Sequence, residues 1–198
     1  MAILPIYLFG TDILKKKAKR VLRADESLHK LVYDMFETME KANGIGLAAT
    51  QVGDERRVVV IDIGNVDEGN AEGEAEDAAH PTSPDLPRTL VLINPEILET
   101  VGMQTREEGC LSLPAVHGEV VRPEKIHIRF LDPEFHIQEI FADGLLARVI
   151  QHEIDHLDGI LFIDRMSKAK RSLLLPKLRK IRRGEVDVNY KFVPVAEQ

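Results

Sequence analysis

The 198-residue chain has a single cysteine, Cys110. No internal disulfide can form, so a disulfide-stapled secreted scaffold is excluded. No apolar run approaches the roughly 20 residues that a membrane-spanning helix needs. The N-terminal stretch MAILPIYLFG has no basic flank and no small-residue cleavage site, and Asp12 follows it closely. It reads as a first strand or packed arm rather than a signal peptide, and a reducing, cytoplasmic location is expected. No internal repeat is visible. A strong overall charge is missing too, although the formal net charge is -7. Residues 64–87 hold seven acids and no Lys or Arg; without them, 26 acids face 26 bases. The acidity is therefore a local feature and says little about a substrate. Residues 166–184 show the opposite bias, with eight Lys or Arg and no acid.

Apolar residues make up 44% of the chain and charged residues 30%, as in ordinary globular proteins. The length suits one domain with a sizeable core. Leu28, Leu31, Val32, Met35, Phe36 and Met39 recur at steps of one, three and four, which predicts an amphipathic helix over about 25–42. Asn43-Gly44 ends it. The segment 44–53, GIGLAATQVG, reads as a glycine-rich turn entering something buried. Strands are expected over 57–63 and 89–93, then around 96–103, 118–122, 125–131 and 137–142. The acidic insertion at 64–87 is too poor in apolar residues to order itself and is expected to be a flexible loop. Gly144 opens a second, buried helix that Gly159 closes. A last helix, about 167–183, carries Pro176 inside it, which predicts a kink or two short helices. Without regular βαβ alternation, the fold class is α+β. Antiparallel sheets are expected to pack around a central helix, with an N-terminal and a C-terminal helix beside them.

The sharpest signal lies in that second helix: His152-Glu153-Ile154-Asp155-His156. Residues four apart share a helix face, so both imidazoles can reach one divalent metal. Glu153 stands next to the first of them, where a carboxylate can take a proton from an activated water. Seven His and nineteen Glu give only about 0.02 chance matches to this pattern. Ile150, Ile154 and Leu157 make the helix a core helix, where unpartnered histidines would be costly.

A catalytic metal needs a third protein ligand. Phe162 stands three residues after Gly159, where one class of zinc peptidase carries a third His. Glu185 is the only Glu downstream of the motif before the tail, and its setting is basic and polar. Upstream lies Cys110, in Glu108-Gly109-Cys110-Leu111-Ser112. A lone Cys is usually a small buried hydrophobe. Here Gly109 allows close backbone approach, and a thiolate would complete a Cys/His/His site.

Three segments together resemble the bacterial peptide deformylases: Gly44 to Gln51 (GIGLAATQ), Glu108 to Ser112 (EGCLS) and Gln151 to His156 (QHEIDH). Their order and spacing fit over about 4–183, so the chain is identified as one catalytic domain of this type across 1–198. The insertion at 64–87, Pro176 and the tail 186–198 depart from the family core. The resemblance implies removal of the formyl group from the N-terminal formylmethionine of nascent polypeptides, with release of formate. It implies one divalent metal on Cys110, His152 and His156, natively Fe(II), with Zn, Ni or Co able to use the same ligands. Glu153 would be base and then acid. The Gln51 side chain and the Leu111 backbone N–H would steady the oxyanion. Ile45, Gly46, Gly109, Leu145 and Val149 would line the substrate cleft; for Leu145 and Val149, plain core packing stands equal. The basic segment within 167–198 would dock on the ribosome near the exit tunnel, although a solvated helix face explains such runs as well. No membrane partner and no sequence-specific nucleic acid are implied. Two rival readings are an HExxH metallopeptidase and a non-catalytic, metal-stabilised ribosome-binding module. Phe162 argues against the first; intact Glu153 and Gln51 argue against the second.

Overall fold

The structure is a computed structural model and describes residues 2–64 and 89–195. Apart from Gly64, the acidic insertion lies outside those residues. The elements run β1 (Ile6–Tyr7), α1 (Glu26–Lys41), β2 (Gly46–Ala48), β3 (Val58–Asp62), β4 (Thr89–Val101), β5 (Gln104–Cys110), β6 (Leu113–Arg122), β7 (Lys125–Leu131), β8 (Ile137–Ala142), α2 (Gly144–Leu157), α3 (Phe162–Arg165), α4 (Lys168–Arg182) and β9 (Phe192–Val193). Short 3-10 turns occupy Asp12–Lys15 and Ala49–Val52.

Strands β2, β3, β4, β7 and β8 form one antiparallel sheet in the order β2-β3-β4-β7-β8. The sequence of β3, Val-Val-Val-Ile-Asp, shows why: successive side chains point to opposite faces, and both faces are covered. Val58 and Val60 pack with Leu28, Leu31, Met35 and Met39 of α1. Val59 and Ile61 pack with Leu146, Val149, Ile150, Ile154 and Leu157 of α2. The sheet thus lies between α1 and α2. Asp25 starts α1 by accepting a hydrogen bond from the Leu28 N–H at 2.9 Å. Strands β5 and β6 form a separate antiparallel hairpin, which packs through Leu113, Val116 and Val120 on α3 and α4.

The expected mixture of helices with antiparallel sheets holds, with local corrections. The run expected around 96–103 is the continuation of β4, and β5 was not foreseen. One strand pair is parallel: β9 joins β1, with Ile6 opposite Phe192 and Tyr7 opposite Val193. A parallel pair needs a long connection, and these two strands come from opposite ends of the chain. Pro176 does not split α4 into two short helices; the helix runs through it from Lys168 to Arg182. Its ring removes the bond to the Ser172 carbonyl, but Ser172 is exposed, so water can take that place.

The C-terminal end of α2 is buried, and its carbonyls are all claimed. Gly159 N–H donates to His156 and Ile160 N–H to Asp155, the Schellman pattern. Ala18 N–H bonds the Leu157 carbonyl, and the Thr50 hydroxyl bonds that of His156. Gly159 sits at φ +74, and a Cβ there would lie 2.5 Å from the Lys15 carbonyl oxygen. Gly159→Ala should therefore destabilise the fold by about 2 kcal/mol, from left-handed strain plus a backbone collision. Urea unfolding of the variant beside the parent checks this; an unchanged midpoint would contradict it.

Candidate metal centre

Every residue of α2 from Leu146 to Leu157 is buried, including six polar ones. Burial of that kind is tolerated only when each polar group finds a partner. The β5–β6 hairpin supplies most of them. Arg148 donates to Glu108, to the Val120 carbonyl and to the Gln104 carbonyl. Asp155 accepts from Arg122 at 2.6 Å and from both ends of the Arg165 guanidinium. Gln151 donates to the Pro123 and Ala147 carbonyls. His152 Nδ1 donates to Glu108 Oε2 at 2.9 Å, which fixes the ring and leaves Nε2 for another partner.

Glu108 is the hub of this network. It accepts from Arg122 Nε (2.6 Å), Arg122 Nη2 (2.9 Å), Arg148 Nη1 (2.9 Å) and His152 Nδ1 (2.9 Å). Those four bonds use its full acceptor capacity. Burial alone would raise its pKa, but His152 and Arg122 outweigh burial and hold the carboxyl well below the usual range. Sequence reasoning quoted Glu108 without giving it a role and passed over Arg122 and Arg148. A signal existed: Arg148 precedes His152 by one helical turn in an otherwise apolar stretch.

Cys110 ends β5, where a register shift between Gly109 and Cys110 breaks the ladder and turns the strand. Its Sγ lies 3.2 Å from His156 Nε2. One donor atom from each of Cys110, His152 and His156 lies within 4.8 Å of the others, a spacing that a single ion can span. Burial lowers the His152 pKa, yet Cys110 and Glu108 on its two sides push it up to about 10. His156 is driven well below the ordinary histidine value, first by burial and then by His152.

Two buried atoms here have no hydrogen-bond partner among the described residues: His156 Nδ1 and Glu153 Oε2. Burial raises the Glu153 pKa to about 7. Gln51 is almost wholly buried. Its Oε1 accepts from the Ala48 N–H at 2.8 Å, which turns Nε2 toward Cys110 Sγ (3.6 Å) and Ser112 Oγ (3.3 Å). A cleft of about 520 Å³ opens over this group. Ile45, Gly46, Gln51, Gly109, Cys110, Leu111, Leu145, Val149, His152 and Glu153 all line it, so nearly every residue singled out from the sequence meets there. His156 sits behind, fully buried. A Cβ on Gly46 would stand 2.7 Å from Glu153 Oε1, so a side chain at that position would close the cleft onto the acid. Arg106 lines a different, smaller cleft with Gln104, Glu124, Lys125, Asp143 and Gly144.

Two imidazoles one turn apart, a thiol beside them and a buried carboxyl group with no ion-pair partner among the described residues form the arrangement of a mononuclear metallohydrolase. Comparison with known proteins gives the family. The polypeptide deformylase family model matches residues 3–172. The peptide deformylase of Salinibacter ruber is 44% identical over 192 residues, 96% of this chain and 94% of that protein. That of Alkalilimnicola ehrlichii is 46% identical over 189 residues, covering 95% and 96%. The crystal structure of a peptide deformylase from Legionella pneumophila superposes with a TM-score of 0.77 at 41% identity, covering 93% of this chain and 98% of that one. The chain belongs to the polypeptide deformylase family.

Glu108→Gln should cost about 3 kcal/mol or more of folding stability, because it leaves Arg122 and Arg148 buried with too little negative charge. Guanidinium unfolding measures the loss. A variant as stable as the parent would show that the network is not anchored on this carboxylate.

Proposed function

We propose that Cys110, His152 and His156 hold the divalent metal with which this deformylase removes the N-formyl group from the formylmethionine of nascent polypeptides, releasing formate. Membership of the family, over nearly the whole chain, supports the reaction. The observation that carries the residue assignment is the convergence of the three donors within 4.8 Å beside a buried carboxyl group, one oxygen of which has no partner among the described residues. When bound, the ion supplies the Lewis acidity that makes water nucleophilic near neutral pH. Fe(II) is the proposed native ion; thiolate and imidazole donors accept Zn, Ni or Co as well.

The remaining steps belong to the chain. Glu153 Oε2 takes the proton from the attacking water as oxygen bonds to the formyl carbon. It passes that proton to the methionine nitrogen as the C–N bond breaks, so the same carboxylate is base and then acid. A group whose pKa burial raises toward 7 suits both tasks. The Gln51 Nε2 amide, oriented by the Ala48 N–H on its other end, and the Leu111 N–H donate to the oxygen that gains charge. Ile45, Gly46, Gly109, Leu145 and Val149 are the proposed walls for the formylmethionine, with the Gly46 backbone free to lie close to it. Glu153→Gln keeps the shape but cannot accept the proton. It should retain metal and lose at least about a hundredfold in kcat. Metal analysis beside a formate-release assay on a formyl-Met peptide tests this, and near-parental turnover would remove Glu153 from the role. Formate as the product also separates this reading from a peptidase, which would release a new amine-ended fragment.

Residues 1–198 are proposed to act as one cytoplasmic catalytic domain. No helix among the described residues is long and apolar enough to cross a membrane. The basic segment is proposed to dock on the ribosome near the exit tunnel. Lys177, Arg179 and Lys180 of α4 are exposed and make no ion pair among the described residues, whereas Lys170 and Arg171 are paired with Glu119 and Asp164. Reversing Lys177, Arg179 and Lys180 to Glu should abolish salt-sensitive pelleting with ribosomes and leave turnover of a short formyl-Met peptide within twofold, about the scatter between assays. Undiminished pelleting would make the segment an ordinary solvated face.

A further inference from the structure

The family match ends at residue 172, yet the chain beyond it returns to the cleft. We propose that residues 185–195 form a strap that completes the site, and that Tyr190 is a positioning residue that holds the Leu111 turn in place for the oxyanion. The proposal rests on the assignment of the Leu111 N–H as an oxyanion donor.

The strap is tied down at both ends. After α4, Gly184 and Glu185 donate back to the Ile181 and Lys180 carbonyls and end the helix. At the far end β9 pairs with β1: Ile6 N–H donates to Lys191 and Leu8 N–H to Val193, each at 2.9 Å. Val186 and Phe192 pack against Leu8, Leu113, Val116, Leu178 and Ile181. Between these anchors, Asp187, Val188 and Tyr190 line the same cleft as Cys110, His152 and Glu153.

Tyr190 makes one polar contact that bears on the chemistry: its hydroxyl donates to the Leu111 carbonyl at 2.7 Å. Burial, and then the nearby Cys110, push its pKa up to about 12, so the hydroxyl keeps the proton it donates. The neighbouring anchors hold Ser112 instead: Phe9 N–H bonds its carbonyl at 2.9 Å, and Gln51 bonds its hydroxyl at 3.3 Å. On the other side of the turn, the Leu111 side chain lies against Gly44, where a Cβ would be 2.8 Å away. The Tyr190 bond therefore fixes the Leu111–Ser112 peptide, and through the Leu111 Cα it limits the rotation of the adjoining Cys110–Leu111 peptide that carries the Leu111 N–H. An oxyanion donor works only if its direction is set before charge develops, since reorienting a loose peptide would cost part of what the hydrogen bond returns.

The test is Tyr190→Phe, which keeps the ring and its packing and removes the hydroxyl. Four quantities are measured: metal content, kcat and KM on formyl-Met-Ala, and hydrogen exchange of the 110–113 amides. The expected result is unchanged metal content, kcat lower by about fivefold, KM within twofold, and faster exchange confined to the turn. A merely structural tyrosine would lower the melting temperature without dividing kcat from KM. Unchanged exchange at 110–113 would overturn the proposal at the brace itself. Faster exchange with unchanged kcat would overturn it at the Leu111 assignment, so the two failures are distinguishable. Loss of metal would also overturn it, by showing that the hydroxyl acts through Cys110.

Discussion

The carboxylate of Glu108 is the constraint on which the rest of this molecule depends. Helix α2 must bury Leu146, Ile150 and Leu157 against the sheet, and in doing so it takes Arg148, His152 and Asp155 out of water as well. One hairpin residue answers two of these charges or dipoles directly. It answers the third through Arg122, which bridges Glu108 and Asp155. Buried ion pairs add little net stability over an apolar core of the same shape, but breaking one is severe because the survivor stays uncompensated. The network is thus better understood as a device for register. The hairpin has one low-energy position on α2, and in that position the end of β5 carries Cys110 to within 3.2 Å of His156.

The end of β5 is irregular for a reason that follows from this docking. Regular alternation would carry the ladder past Gly109 unbroken, and the register shift at Gly109/Cys110 re-aims the thiol. Cys110, Leu111 and Ser112 are then held from three directions: by Gln51 in the Ala49–Val52 turn, by Phe9 near the start of the chain and by Tyr190 near its end. Cys110, His152 and His156 lie on β5 and α2, whereas Gln51 and Leu111 lie on the turns beside them. That division suits a site that must be preorganised yet open.

Periodicity and rare motifs made much of this legible in the sequence. Helix α1 shows a clean apolar stripe, and the HExxH spacing has a single geometric meaning once its helix is buried. The residues that partner His152 and Asp155 are less visible in the sequence. Strand β5 reads Gln-Thr-Arg-Glu-Glu-Gly-Cys and shows no apolar alternation, because the residue it buries is Glu108. A pattern search for hydrophobic faces passes over a strand whose inward side chain is an acid. The short pairing of β1 with β9, and with it the place of Tyr190, depends on contacts between the two ends of the chain. No local pattern encodes these. Pro176 lies inside an unbroken α4 because the Ser172 carbonyl it leaves without a donor is on an exposed face.

The chemistry finally turns on how one short stretch of helix treats its two acids. Glu153 and Asp155 are two residues apart, so they leave α2 on nearly opposite sides. Asp155 points to Arg122 and Arg165 and is neutralised. Glu153 points to the cleft, where Gly46 and Val149 surround it and no cation pairs with it, and burial drives its pKa up. Glu108, equally buried, is driven down by its guanidinium and imidazole partners. Glu108 and Glu153, both buried, are therefore driven in opposite directions by their surroundings, Glu108 down by its partners and Glu153 up by burial. The absence of a side chain at Gly46 belongs to the same arrangement. A methyl group there would press on Glu153 Oε1 at 2.7 Å and on Val149 at 2.8 Å, filling the cleft beside the acid.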